Sequence, residues 1–211
     1  MKLTVLGATG GVGRQIVTHA LADGDHVTAV VRDPARLQVR HEHLSVVRAD
    51  PLDAASVKPA IDGADAVLSA IGARSRHDPL KPASTSARAA IQAMAATGVR
   101  RIVVVSAAPL NRSGAGDAPF TRRVVTPLLW AVFREVYTDL EAMERAVQES
   151  GLDWTLVRPP KLWNKPGQGR YRHAIDASPG GTSIARADVA RAMLDFVTDR
   201  ETIGHAVGVS R

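Results

Sequence analysis

The apolar run Leu3-Thr4-Val5-Leu6 ends at Gly7, and Ala8-Thr9-Gly10-Gly11-Val12-Gly13 leads from there directly into a helical pattern. Few other starts constrain a fold as tightly, because strand, glycine turn and helix must be built as one unit. Gly7, Gly10 and Gly13 stand at G-x-x-G-x-x-G spacing. The first glycine permits a tight turn, the second lets an anion approach the backbone, and the third lets helix pack on strand. Backbone N–H groups of Thr9, Gly11 and Val12 then meet the positive end of the helix dipole, which suits the pyrophosphate of a dinucleotide. A second strand, His26 to Val31, follows a helix that ends near Gly24, so both flanks of the turn are right.

Beyond this unit, short β-branched runs alternate with helical segments. Strands are expected at 2–6, 26–31, 44–48, 65–70, 101–106, 153–157 and 205–209, and helices at 11–22, 54–62, 82–97, 134–149 and 187–198. The alternation predicts an α/β fold, a single Rossmann-like, doubly wound parallel sheet of about seven strands with helices on both faces. Ile102-Val103-Val104-Val105 is apolar at every position, as a strand buried on both sides should be. The 211 residues, 45% of them hydrophobic, are expected to form one domain over 1–211. Two stretches rich in Gly, Pro and Ser, 107–126 and 159–183, follow strands at their carboxyl ends and are the expected substrate walls.

The chain has no cysteine, which excludes disulfides, thiolate catalysis and cysteine-based zinc sites. No secretory leader pattern and no apolar run of membrane-spanning length are visible, so a cytoplasmic protein without a membrane partner is expected. The net charge of +6 comes from arginines scattered along the chain, a pattern that argues against a nucleic-acid partner. The histidines show no metal-ligand spacing, and no metal is expected.

The end of the second strand indicates which dinucleotide to expect. An acidic residue there would accept from a ribose 2′-OH, whereas a 2′-phosphate needs positive charge. The chain reads Val31-Arg32-Asp33-Pro34-Ala35-Arg36, so Arg32 and Arg36 could bracket a phosphate while Asp33 caps the short turn. This favours NADP(H) over NAD(H). Asp50-Pro51 ends the third strand and Ala70-Ile71-Gly72 the fourth. Asp50 is placed to accept from an adenine amino group, to cap the helix that starts near Ala54, or both.

The glycine turn, the V-R-D-x-x-R-L run, Asp50-Pro51 and the later segment Glu149-Ser150-Gly151-Leu152-Asp153-Trp154-Thr155-Leu156-Val157-Arg158-Pro159-Pro160 together resemble the atypical short-chain dehydrogenases. Within them the chain is most similar to the NAD(P)H-binding, NmrA-like branch that includes flavin and biliverdin-IXβ reductases. The resemblance spans essentially the whole chain. It implies NADPH as cofactor and hydride delivery to a small conjugated acceptor, such as a flavin, quinone or linear tetrapyrrole. It matches Gly7, Thr9, Gly10 and Gly13 to the phosphate turn and Arg32 and Arg36 to the 2′-phosphate site. Ser106, Pro159 and Pro160 match positions beside the nicotinamide. Lys161 stands where the biliverdin reductases carry histidine, which turns the expectation away from a bilin.

Tyr-Lys dehydrogenases place a lysine four residues after the catalytic tyrosine. Here Tyr137 is followed at that spacing by Glu141, and no lysine occurs from Val132 to Ser150. A neighbouring carboxylate would raise the phenol pKa, so Tyr137 reads as structural or substrate-contacting. Val136, Leu140, Met143 and Val147 form the buried stripe of its helix, with Tyr137 at the edge. A conjugated acceptor asks for less: Ser106 to position the carboxamide or donate a hydrogen bond, and Lys161 to face developing negative charge. Trp163 and Tyr171 are candidates for stacking on a flat substrate. Pro127 to Phe133 reads as a helix beginning at its proline, with core packing expected and a pocket wall or dimer patch as alternatives. Monomer and homodimer both remain open. The reading that competes with a reductase is a non-catalytic NADP-binding sensor of the NmrA kind.

Overall fold

A computed structural model describes residues 1–73 and 75–211. In chain order the elements are β1 (Lys2–Leu6), α1 (Gly11–Ala22), β2 (His26–Val31), β3 (Leu44–Arg48), α2 (Ala54–Ile61), β4 (Ala66–Ser69), α3 (Pro82–Thr97) and β5 (Arg101–Val105). There follow α4 (Thr126–Val132), α5 (Arg134–Gln148), β6 (Asp153–Arg158), β7 (Lys161–Trp163), β8 (Arg172–Ile175), β9 (Ser183–Ala185), α6 (Arg186–Thr198) and β10 (His205–Ser210). Every helix and strand expected from the sequence is present, its ends displaced by no more than a residue.

The main sheet has the order β3-β2-β1-β4-β5-β6-β10-β8. All its pairings are parallel except β10 with β8. It has eight strands where about seven were expected, and the addition is the antiparallel edge strand β8. That strand lies inside the supposedly irregular stretch 159–183. Its residues Arg172, His173 and Ile175 are exposed, so it lacks the apolar run by which a central strand is read. The same stretch holds β7, paired in parallel with β9 as Lys161↔Ser183, Leu162↔Ile184 and Trp163↔Ala185. Three residues are too few for a periodicity to show.

Side chains alternate across the sheet into two cores. Leu3, Val5 and Val103 pack with Ile16, Val17, Met193 and Phe196 on the side of α1 and α6. Leu6, Ile102 and Val104 pack with Ile61, Met94, Met143 and Val147 on the side of α2, α3 and α5. Several buried polar groups tie this frame together. Thr4 Oγ1 donates to the Ala60 carbonyl at 2.5 Å, tying β1 to α2. Arg101, at the start of β5, donates to the carbonyls of Val197 and Asp153 and to Thr155 Oγ1, and bonds the Phe196 carbonyl at the end of α6. Burial lowers the Arg101 pKa to about 10.

Helical backbone begins at Pro119, passes through one π-type turn over Thr121–Val125 and continues as α4. Pro127 sits in the first turn of α4, as its missing N–H allows. The expectation of core packing for this segment holds only for Trp130, which rests half-buried against the second core. None of its residues is buried: Pro127, Leu128, Ala131 and Val132 are exposed, and Leu129, Trp130 and Phe133 are half-buried. The segment lies over a cavity instead of over the sheet, so only one of its faces is covered.

Candidate functional site

A groove of about 790 Å³ runs along the carboxyl ends of the central strands. It lies where the sheet order reverses between β1 and β4, the place at which open α/β sheets take ligands. Its floor is the glycine turn. Gly7 has φ +80°, which a Cβ would strain, and a Cβ at Gly13 would stand 2.1 Å from the Gly7 carbonyl oxygen. Gly10 precedes α1 and gives its first turn no side-chain cap, so the backbone donors there are left for a ligand. Thr9, Gly10, Gly11 and Val12 all line the groove.

Arg32 and Arg36 line the same groove at one end. Among the described residues neither has a carboxylate at ion-pair distance. Asp33 does cap the turn between them, accepting from Ala35 N at 3.1 Å. Its carboxylate is thereby drawn into the turn. Arg14 adds a third cation nearby, its Nη2 3.4 Å from the carbonyls of both Thr9 and Arg36. Pro51 and Leu52 line the groove beside them, whereas Asp50 is exposed and not part of its lining. The cap of α2 also belongs elsewhere: Asp53 accepts from Ser56 N at 2.9 Å, while Asp50 accepts from Leu52 N. The correction has a simple cause, since the helix begins at Ala54 and a cap must immediately precede it.

At the other end stand Ala70, Ile71, Gly72, Val105 and Ser106. Ser106 is buried and its Oγ donates to Glu144 Oε1 at 2.6 Å. Glu144, buried on α5, is held by Arg158 through Nε to Oε1 at 2.9 Å and Nη2 to Oε2 at 2.6 Å. The serine proton is therefore spent on Glu144, and Ser106 faces the groove as an acceptor, not the donor considered from sequence. Asp139 stiffens the adjacent wall, accepting from Ala83 N and Ser84 N at the start of α3 at 2.9 and 3.0 Å.

Beyond Ser106 opens an apolar cavity of about 740 Å³. Both irregular stretches contribute to it, through Ala107 to Pro109 on one side and Pro159, Pro160, Lys161 and Ala177 to Thr182 on the other. The groove and this cavity meet at consecutive residues: Ser106 with Ala107, Val136 with Tyr137, and Leu162 with Lys161. Tyr137 lines the cavity, its ring 5.2 Å from that of Trp130 and 6.1 Å from that of Phe133. Its pKa is raised, and by burial, not by Glu141 as the sequence suggested. Glu141 is occupied by Arg112 at 2.5 Å.

The remaining sequence candidates are spread out. Lys161 is exposed at the cavity edge, with Nζ 5.3 Å from the ring centroid of Trp163. Trp163 lines a different cavity, of about 730 Å³, on the opposite flank of the glycine turn. Tyr171 lines neither cavity, so its expected stacking role is not supported: its hydroxyl donates to Asp195 at 2.8 Å and its ring meets Phe196 edge-on. A half-buried loop tyrosine and a substrate-stacking one look the same in sequence. Arg186, which the sequence reading missed, lines both the groove and the Trp163 cavity. A Cβ at Gly11 would stand 2.5 Å from Arg186 Cδ, so its stem lies across the start of α1. Its Nη1 donates to Asn164 Oδ1 at 2.6 Å.

The model of a family described as NAD(P)H-binding matches residues 7–200, which hold the turn, the groove and six of the eight strands of the main sheet. The chain belongs to this NAD(P)H-binding family. It is 36% identical over 157 residues to a (4-alkanoyl-5-oxo-2,5-dihydrofuran-3-yl)methyl phosphate reductase of Streptomyces griseus, an alignment covering 74% of this chain and 46% of that protein. The chain thus spans about half the length of that relative. It is 27% identical to an uncharacterized sugar epimerase of Bacillus subtilis, YhfK, over 98% of this chain and 92% of that one. Among solved structures it resembles a protein described as a candidate NADH-flavin reductase from Streptococcus pneumoniae, with TM-score 0.79 and 27% identity over 99% and 98% of the two chains.

Proposed function

We propose that residues 1–211 act as one NADPH-dependent reductase unit whose acceptor is a small conjugated molecule such as a flavin or quinone. The observation that carries this reading is the continuity of the groove, from two arginines without an ion-pair partner among the described residues, past the glycine turn to Ser106, with the apolar cavity beginning at the next residue. Arg32 and Arg36 would hold a 2′-phosphate, the first turn of α1 the pyrophosphate, and Ala70 to Gly72 the adjoining sugar. Pro51 supplies an apolar wall for the adenine, and Arg186 is close enough to α1 to share the pyrophosphate charge.

When bound, the reduced nicotinamide supplies a hydride, and a proton from water completes the reduction of the acceptor. The chain's own part is to hold the two rings together. Ser106, with its proton committed to Glu144, accepts from the carboxamide amine and so fixes which face of the ring is presented. Pro159 and Pro160 border the same position as rigid, donor-free backbone. Tyr137 offers an aromatic edge but not an activated phenol, because burial favours its neutral form. Lys161 at the cavity edge provides positive charge for an anionic acceptor.

The test is to mix purified protein with NADPH or NADH and either FMN or dichlorophenol-indophenol, following the nicotinamide absorbance. Turnover that prefers NADPH supports the reading. The related flavin reductase is described with NADH, so a preference for NADH would remove the assigned role of Arg32 and Arg36. Tight NADPH binding without turnover on any acceptor would turn the assignment to a dinucleotide sensor.

A further inference from the structure

The helical segment from Pro119 to Val132 has two apolar faces, and only one of them is used by the site. Thr121, Val125, Leu129 and Phe133 recur at four-residue steps and line the apolar cavity. One residue earlier in each step, Phe120, Val124, Leu128 and Val132 form a second row, and these are 68%, 47%, 62% and 43% exposed. Phe120 also reaches the cavity lining, so the outer row begins at the cavity's edge. Four large apolar side chains aligned on one exposed helix face form a contiguous patch, unlike the scattered single residues ordinary on a protein surface.

Within the segment itself the charge is of one sign. No carboxylate occurs from Ala118 to Arg134, whereas Arg122, Arg123 and Arg134 are all exposed. From the neighbouring loop Arg76 adds its guanidinium, 5.3 Å from the Phe133 ring. The acids next along the chain, Asp117 and Glu135, flank the segment: Asp117 accepts from Asn111 Nδ2 at 3.4 Å, and Glu135 bonds His77 Nδ1 at 2.9 Å. The whole chain carries a net charge of +6.

We infer that this face docks on an anionic lipid surface. An apolar row bordered by arginines fits the boundary between acyl chains and phosphate headgroups, where a helix lies in the interface plane. A second copy of the chain fits less well, since a symmetric contact would set against each other two segments that carry Arg122, Arg123 and Arg134 and no carboxylate from Ala118 to Arg134. The contact is one of lying on the surface: among the described residues no helix is long and apolar enough to cross a membrane. The same segment that meets the lipid also covers the cavity, so the acceptor class that fits is an apolar conjugated molecule drawn from the lipid phase. That second step rests on the cavity being the acceptor site; the docking does not.

The experiment is sedimentation of the full chain with vesicles of phosphatidylcholine alone and of phosphatidylcholine mixed with phosphatidylglycerol, at low salt. Binding to the mixed vesicles only is expected. Arg122→Gln with Arg123→Gln should lower the partition coefficient by roughly 25-fold, about fivefold per arginine. Leu128→Ser with Val132→Ser should abolish binding. Neither pair lines the groove or the cavity, so NADPH turnover on a water-soluble dye should be unchanged in both, which also reports an intact fold. Equal binding to neutral and anionic vesicles, or binding undiminished in the variants, overturns the inference. So does a dimer in chromatography that Leu128→Ser with Val132→Ser dissociates, since a second copy would then cover the face. Vesicle binding without dye turnover would strike the reductase reading and leave the docking, and turnover without vesicle binding the reverse.

Discussion

Ser106 Oγ gives its proton to Glu144 Oε1 across 2.6 Å, and Arg158 holds both oxygens of that carboxylate. The serine at the end of β5 is thus oriented from behind by a buried ion pair. Ser106→Ala should lower kcat/KM by roughly 5- to 10-fold, the value of one hydrogen bond, with NADPH affinity nearly unchanged. Glu144→Gln should cost about 3 kcal/mol of stability, because Arg158 is left half of a buried pair. Denaturant unfolding beside steady-state kinetics would separate the two effects, and a Glu144→Gln protein as stable as wild type would contradict this account.

Arg32 and Arg36 have no ion-pair partners to lose among the described residues, so replacing them should be felt by the cofactor alone. Arg32→Gln or Arg36→Gln should raise the Kd for NADPH by about 10- to 100-fold, the range for a hydrogen bond to a charged group. The Kd for NADH should not move. Calorimetry with both coenzymes decides this, and an equal loss for NADH would mean that neither arginine meets a 2′-phosphate.

Asp139 reaches from α5 to the first turn of α3, where its two oxygens accept from Ala83 N and Ser84 N. Asp139→Ala leaves both donors buried without an acceptor. A stability loss of about 2 kcal/mol is expected, at the upper end for a helix cap. Because α3 walls the groove, NADPH affinity should fall with it. A thermal melt unchanged by the substitution would show that water replaces the carboxylate.

Tyr137 and Tyr171 are the chain's two tyrosines, and burial raises the pKa of both above the ordinary 10; a hydrogen bond to Asp195 adds to the shift at Tyr171. A phenol whose folded pKa lies above its unfolded one binds more protons when folded. The stability it contributes is complete below pH 10 and is lost as pH rises towards the folded value. Ultraviolet titration should show phenolate lagging behind free tyrosine and appearing together with unfolding. Ionisation near pH 10 in a protein that remains folded would contradict the assignment.

The parts of the site most legible in the sequence were those that rest on backbone geometry. Gly7, Gly13 and the run from Arg32 to Arg36 occupy positions where a local turn dictates the residue type, and they lie where their spacing placed them. The serine at the end of β5 was also readable, but its partner was not. Glu144 and Arg158 are 38 and 52 residues away along the chain, and only the parallel packing of β5, β6 and α5 brings them together. Trp163 and Tyr171 show the opposite difficulty. An aromatic residue in a loop carries no local mark of which cavity it faces, and β7 and β8 were too short or too polar to reveal how that loop folds back.

The pairing of β7 with β9 fastens the two ends of a long excursion together at its neck, from Trp163 on one side to Ser183 on the other. What lies beyond the clasp is pinned a second time where β8 pairs with β10, so the stretch between β8 and β9 is a short loop held at both ends. Ala177 to Thr182, which supply part of the cavity wall, lie in that loop, so a substitution there alters the cavity while the glycine-turn end of the molecule stays fixed. A fold fastened in this way can reshape its cavity by redrawing one loop.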